Sequence, residues 1–251
     1  MPLAVPDLDP RTVLVVLPVQ NEAASLAAVL AGIRAYGLDV LVVDDASHDD
    51  SLAIARAAGV KVLPLALPLG AWGAIQTGIR YARQQGYAYV LSMDADGQHH
   101  SEEIPVLIEA MRSRPGADLI IGACIERGSW LRHLAWHFFR RLTGIGIEDL
   151  TSGFRLYNAR ALAVLSIRAA TLLDYQDVGV LLLLKSAGLH IEEVRVNMTP
   201  RENGVSRVFS SWMMVLYYIL VTTVLSLSKM DRLARRHYSS DQSPLPETRK
   251  R

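Results

Sequence analysis

Cysteine is almost missing from this chain. The one residue, Cys124, among 251 rules out an intramolecular disulfide and a cysteine-built zinc cluster; a small buried hydrophobe is its simplest role. An excess of one charge is missing too. With 26 basic and 25 acidic residues the net charge is +1, which argues against the strongly basic surface of a nucleic-acid binder. No Gly-x-Gly-x-x-Gly turn follows the first apolar run, and no Gly-Lys-Ser or Gly-Lys-Thr loop occurs anywhere. The dinucleotide fingerprint and the phosphate-gripping P-loop are therefore excluded. The first ten residues are polar and proline-rich rather than a secretory signal, so they are read as a leader and the catalytic part is expected in the cytosol. No internal repeat is visible.

What is present is an alternation of short apolar runs and helical stretches. Residues 12–17, 40–43, 61–63, 89–93 and 119–121 read as strands, the first two β-branched and apolar throughout, as strands covered on both faces are. Pro18 is expected to end the first. Helices are expected from Asn21 and Glu22 through Arg34, over 50–58 with Ser47 as a cap, over 70–84 behind a glycine turn, and over 102–112. This spacing predicts an α/β fold, a mostly parallel doubly wound sheet with flanking helices. In the later half, residues 130–142 read as an amphipathic helix, 178–184 as a helix under the sheet and 191–196 as a strand.

In such sheets ligands gather where strands end at their carboxyl edge. Glu22, Asp44, Asp45, Asp94 and Asp96 all stand just past strand ends. An isolated Asp-x-Asp means little, since Asp7-Leu8-Asp9 forms one in the leader with no strand before it. Behind a buried strand, Asp94-Ala95-Asp96 with Gln98 is an oxygen donor set suited to Mg²⁺ or Mn²⁺. Asp94 is expected to serve metal and diphosphate together. The first turn, with Pro18, Gln20 and Glu22, is placed to accept from ribose hydroxyls, and Asp44 from a base N–H. His99 and His100 follow the acidic motif and are read as supporting rather than ligating.

Residues 208–228 hold 21 positions without a charge, close to the length of a bilayer span. Serines and threonines weaken the stretch, and basic residues flank both ends: Arg201 and Arg207 before it, Lys229, Arg232, Arg235 and Arg236 after it. Three readings stay open: a helix lying in the headgroup plane, a spanning helix, and a buried core or homo-oligomer helix. The expected organisation is a leader over 1–10, a catalytic domain over 11–207, an apolar and basic membrane-associated helix over 208–236, and a disordered basic tail over 237–251.

Residues 13–26, 40–51 and 90–105 resemble the nucleotide-binding half of family 2 glycosyltransferases, whose fold is the GT-A type. Residues 149–157, with Asp149-Leu150-Thr151-Ser152-Gly153-Phe154-Arg155, are similar to a segment of the polyprenyl-phosphate branch, which includes dolichyl-phosphate mannose synthases. Arg201, Gly204, Ser206 and Arg207 match that branch's basic loop. At Gly70 the chain departs from the family pattern: a Lys or Arg is usual there, and Ala71 and Trp72 stand instead.

The resemblance implies an inverting transfer of a sugar from a nucleotide-diphosphate donor. Glu22, Asp44 and Asp45 would contact the nucleoside, and Asp94, Asp96 and Gln98 the metal and diphosphate. Arg127, Arg132, Arg155, Arg201, Ser206 and Arg207 would meet donor or acceptor phosphates. Asp149 and Asp177 would be base candidates where the acceptor needs one. The basic loop running into the apolar stretch favours a polyprenyl-phosphate acceptor at the cytoplasmic face of a membrane, the protein being peripheral or single-span. A lipid-linked or other sugar hydroxyl acceptor in envelope glycan synthesis is the alternative. From other classes come a non-catalytic nucleotide-sugar binding protein and a nucleotidyltransferase.

Overall fold

The computed structural model of the chain describes residues 9, 12–124, 146–172 and 178–199. In chain order these form β1 (Val13–Val19), α1 (Ala23–Arg34), β2 (Asp39–Asp44), α2 (Ser51–Ala57), β3 (Lys61–Pro64), α3 (Gly70–Gln85), β4 (Tyr89–Ser92), α4 (Ile104–Ser113), β5 (Leu119–Ala123), β6 (Arg155–Asn158), α5 (Ala159–Leu165), α6 (Val178–Ser186) and β7 (Ile191–Arg195). The strands make one sheet in the order β3-β2-β1-β4-β6-β5-β7. Every pairing is parallel except those of β6, which runs antiparallel to β4 and β5.

Alternate residues of the central strands face two separate cores. Leu14, Val16, Leu41, Val43 and Val90 pack with α3, α5 and α6. Val13, Val15, Leu17, Val40, Val42 and Leu91 pack with α1, α2 and α4. Helices on both faces are what near-continuous apolar strands require, because neither face can meet water. The approach is closest where α3 crosses β1: a Cβ on Gly78 would stand 2.4 Å from Val16 Cγ1.

Two local expectations are corrected. Pro18 does not end β1, which continues to Val19 with Pro18 opposite Val43. The ladder explains the tolerance. Val16 C=O points toward β4, accepting from Met93 N–H, while Val19 C=O points toward β2, accepting from Asp45 N–H; Pro18, in register with Val16, faces the side where β4 has already stopped. A missing donor there breaks no ladder bond. Ser47 does not cap α2: Asp50 is the N-cap, and Ser47 Oγ accepts from Asn21 N–H at 3.1 Å instead. The Asp149 to Tyr157 motif leads into β6 and α5, two elements the sequence reading had left unassigned.

Among the described residues no helix is long and apolar enough to cross a membrane. The expected amphipathic helix over 130–142 and the apolar helix over 208–236 lie outside the described residues, as do the leader through residue 8 and the tail.

Candidate active site

The parallel strands β2, β1 and β4 all release the chain at one edge, and the antiparallel β6 enters the sheet from that same edge. Asp44 therefore ends β2 opposite Val19 of β1, and Asp94 to Gln98 leave β4 two strands away. At about 4.8 Å per strand the two stand roughly 10 Å apart.

Asp44 is 3 % exposed, and its Oδ1 has no hydrogen-bond partner among the described residues. A buried carboxylate oxygen without a donor is costly, so it is suited to a donor brought by a ligand. Asp45 differs. It is also buried, but Oδ1 accepts from Leu69 N–H at 2.6 Å and Oδ2 from Gly70 N–H at 2.9 Å. Its carboxylate serves the entrance of α3, where the N–H groups would otherwise lack acceptors. Both oxygens of the residue expected to meet the nucleoside thus already accept from the backbone at the start of α3.

The turns after β1 and β2 clasp each other. Asn21 is in a left-handed conformation with φ 57°, and its Oδ1 accepts from His48 N–H at 2.8 Å. Glu22 N–H donates to Ser51 Oγ at 2.9 Å, and Gln20 Nε2 donates to the Asp45 carbonyl at 3.2 Å. Pro18 and Glu22 are half-buried along this rim. Ala46, also at positive φ (56°), shows that the β2 turn is held in a conformation alanine disfavours.

The acidic loop is held from three sides. Gln98 N–H donates to Asp96 Oδ1 at 3.0 Å and the Gln98 amide donates to Asp96 Oδ2, across the left-handed Gly97. His99 is 4 % exposed, and its ring stacks on Phe154 at 5.3 Å. Its Nδ1 accepts the Asp94 N–H at 3.0 Å, and its Nε2 lies 3.8 Å from Asp94 Oδ2. The Asp94 side chain is 39 % exposed. Finally, His99 bridges Met198, and Thr199 N–H donates to the Gln98 carbonyl at 3.0 Å. The chain leaving β7 thus runs alongside the acidic loop.

On the other flank Asp149 is 5 % exposed. Its Oδ1 accepts from Thr151 N–H at 3.1 Å and Thr151 Oγ1 at 3.0 Å, and its Oδ2 from Cys124 N–H at 3.4 Å. These bonds cap the turn that precedes β6. Arg155 is fully buried, with Nε donating to the Ser152 carbonyl at 2.8 Å and Nη2 to the Leu150 carbonyl at 2.9 Å. The planar fork of this phosphate candidate gathers carbonyls where the turn enters β6. Asp177, Arg127, Arg132, Arg201, Ser206 and Arg207 lie outside the described residues.

Glu193 of β7 had not been singled out. Its Oε2 accepts from Glu148 N–H at 2.8 Å and Asp149 N–H at 3.5 Å. Burial is the largest cause of its carboxyl standing above the ordinary 4.5; the backbone donors oppose the rise, and the neighbouring Glu148 and Asp149 charges add to it. Nothing in a lone Glu-Glu pair on a strand could have disclosed this, because the contact joins segments some 45 residues apart.

A mostly parallel sheet with helices on both faces and carboxylates along one edge defines an α/β architecture of the GT-A type. The family model described as Glycosyl transferase family 2 matches residues 14–165, and the chain belongs to that family. It is 31 % identical to the polyprenol monophosphomannose synthase of Mycolicibacterium smegmatis, over 81 % of this chain and 85 % of the relative. It is 34 % identical to the undecaprenyl-phosphate mannosyltransferase of Micrococcus luteus, over 78 % and 86 %. Among solved structures, glucosyl-3-phosphoglycerate synthase from Mycobacterium tuberculosis, in complex with Mn²⁺, UDP and phosphoglyceric acid, shares the fold. Its TM-score is 0.66 at 21 % identity, covering 85 % of this chain and 78 % of that one.

Proposed function

We propose that this glycosyltransferase moves a sugar from a nucleoside-diphosphate donor to a polyprenyl phosphate at the cytoplasmic face of a membrane. The observation that carries the donor side is the buried Oδ1 of Asp44, unpartnered among the described residues, on the same edge as Asp94 and Asp96. A base N–H would satisfy Asp44, and the separation to the acidic loop is one that a nucleoside bridges. Glu22 and Gln20 stand on the rim between them.

The oxygen donors of Asp94, Asp96 and Gln98 fit a hard divalent cation, Mg²⁺ or Mn²⁺. Among the described residues no group of three or more His, Cys, Asp or Glu side chains converges, which suits a cation shared with a substrate diphosphate rather than caged by protein. When bound, such a cation supplies charge neutralisation at the departing diphosphate. The chain's own part is to hold Asp94 through His99 and Asp96 through Gln98, so that the carboxylates need no reordering.

The acceptor side follows from Asp149. Among the described residues this base candidate is buried and engaged by Thr151 and Cys124, an arrangement that favours an acceptor needing no deprotonation. A lipid phosphate is such an acceptor: its ionised oxygen attacks the anomeric carbon as the bond to the nucleoside diphosphate breaks, inverting that carbon. The basic sequence at Arg201 to Arg207 begins two residues after Thr199, which is bonded to the acidic loop. The polyprenol and undecaprenyl-phosphate mannosyl relatives support the same acceptor.

The test is a panel of radiolabelled UDP- and GDP-sugars with defined polyprenyl phosphate. One donor should yield organic-phase label with one nucleoside diphosphate released per sugar. Chelation should abolish it, and Asp96→Asn should lower it at least about 100-fold. Label that stays in the aqueous phase with every donor overturns the reading.

A further inference from the structure

Between β3 and α3 the chain carries Leu65-Ala66-Leu67-Pro68-Leu69. Leu67 is 71 % exposed and Leu69 58 %, and they are the large hydrophobic side chains that stand out of the described surface. The exposed stretch also takes in Pro64, Ala66, Pro68, Gly70 and Ala71. No charged residue occurs anywhere from 62 to 79. This is the region where family resemblance leads one to expect a lysine or arginine.

The exposure is built into the loop. At one end Leu65 N–H donates to the Asp44 carbonyl at 2.8 Å, and at the other the Asp45 carboxylate holds the N–H groups of Leu69 and Gly70. Leu65 turns inward against the core, while Leu67 and Leu69 are left pointing away from it. A loop pinned at both ends loses little conformational freedom when its tip is buried by something else.

Its place identifies what buries it. β3 is the edge strand of the sheet and runs parallel to β2, so the loop leaves at the carboxyl edge, three strands from the acidic loop, or roughly 14 Å along that edge. Two leucines and flanking prolines are far short of the roughly 1,200 Å² of a specific protein interface. They do match shallow insertion between lipid headgroups, where a charge-free tip avoids the cost of desolvating ions. We infer that the 64–71 loop inserts Leu67 and Leu69 into the bilayer and so seats the carboxyl edge of the sheet on the membrane. This inference rests on the lipid-acceptor reading above and adds to it a docking point distant in sequence from residues 208–228.

The test uses the full chain with Cys124→Ser and a nitroxide label at Leu67→Cys, or at Lys61→Cys on the opposite end of β3 as control. Vesicles of phosphatidylcholine and phosphatidylglycerol are added without donor or acceptor. On binding, the label at 67 should gain oxygen accessibility and lose accessibility to a water-soluble nickel chelate, on the order of tenfold, while the label at 61 is unchanged. Absence of vesicle binding, or a label at 67 that stays water-accessible on vesicles, overturns the inference. So does protection before vesicles are added: independent of protein concentration it means cover by the chain's own apolar segment, and rising with concentration it means a second copy. None of these readouts needs turnover, so a failed transfer assay overturns the acceptor reading and leaves them standing. As a second measure, Leu67→Ser/Leu69→Ser should reduce transfer to vesicle-borne polyprenyl phosphate on the order of 10- to 100-fold and keep it within about twofold for detergent-dispersed acceptor. An equal effect on both acceptors, whether none or large, overturns the docking role.

Discussion

His99 accepts the backbone N–H of Asp94 through Nδ1 at 3.0 Å while its ring lies stacked on Phe154. The backbone that carries the first carboxylate of the acidic motif is thereby held by a residue five positions later. His99→Phe keeps a ring against Phe154 but leaves the Asp94 N–H without this acceptor, at a cost of about 1–3 kcal/mol. The divalent cation concentration for half-maximal turnover should rise about 10- to 100-fold. Metal titration of initial rates checks it, and an unchanged half-point would assign His99 to packing alone.

Asp44→Ala removes a buried carboxylate with one oxygen unpartnered among the described residues. The melting temperature should hold or rise, because no protein donor loses its partner at Oδ1. The donor KM should increase on the order of 10- to 100-fold, with kcat changed less. Steady-state kinetics beside thermal melts separates this from a structural role, which would move the melt and spare KM.

Gly78→Ala drives a methyl to 2.4 Å from Val16 Cγ1 and 2.9 Å from Val16 Cγ2. Both elements are fully buried at this crossing, so overpacking should cost about 1–3 kcal/mol. The melting temperature should fall by roughly 2–10 °C. Val16→Ala in the same chain should recover part of the loss; a double variant no better than the sum of its parts would place the strain elsewhere.

Glu193 offers a pH prediction. Its native carboxyl holds a proton more tightly than the unfolded chain does, so its contribution is fully present below the ordinary 4.5 and is lost as pH rises through the higher native value. Glu193→Gln removes that loss while retaining an oxygen for the Glu148 and Asp149 N–H groups. The variant's melting temperature relative to the parent should therefore be more favourable at pH 7 than at pH 4. A difference independent of pH would show that the carboxyl does not titrate in this window.

Much of the sheet was legible in the residues. Continuous apolar runs disclosed β1, β2, β4 and β5 because both faces are buried, and helix α3 was readable within one residue of its C-terminal end. β6 was not, since four residues inserted antiparallel between parallel neighbours carry no period of their own. The edge occupied by Glu22, Asp44, Asp94 and Asp96 followed from their positions after strands. Which of them face a ligand did not: Asp44 and Asp45 are adjacent and identical, yet one is capped by Leu69 and Gly70 and the other has an unpartnered oxygen.

The sequence by itself determined the layered α/β architecture, the family and the edge on which chemistry gathers, because burial pattern and strand-end chemistry are local properties of the chain. Only the tertiary structure decided the work of individual side chains. Asp45 became a cap for α3, Arg155 a buried organiser of carbonyls, and His99 the support of Asp94, and Leu67 and Leu69 were left standing in the open. Each of these depends on which partner lies within about 3 Å, a distance set by segments tens of residues away, and no spacing along the chain encodes it.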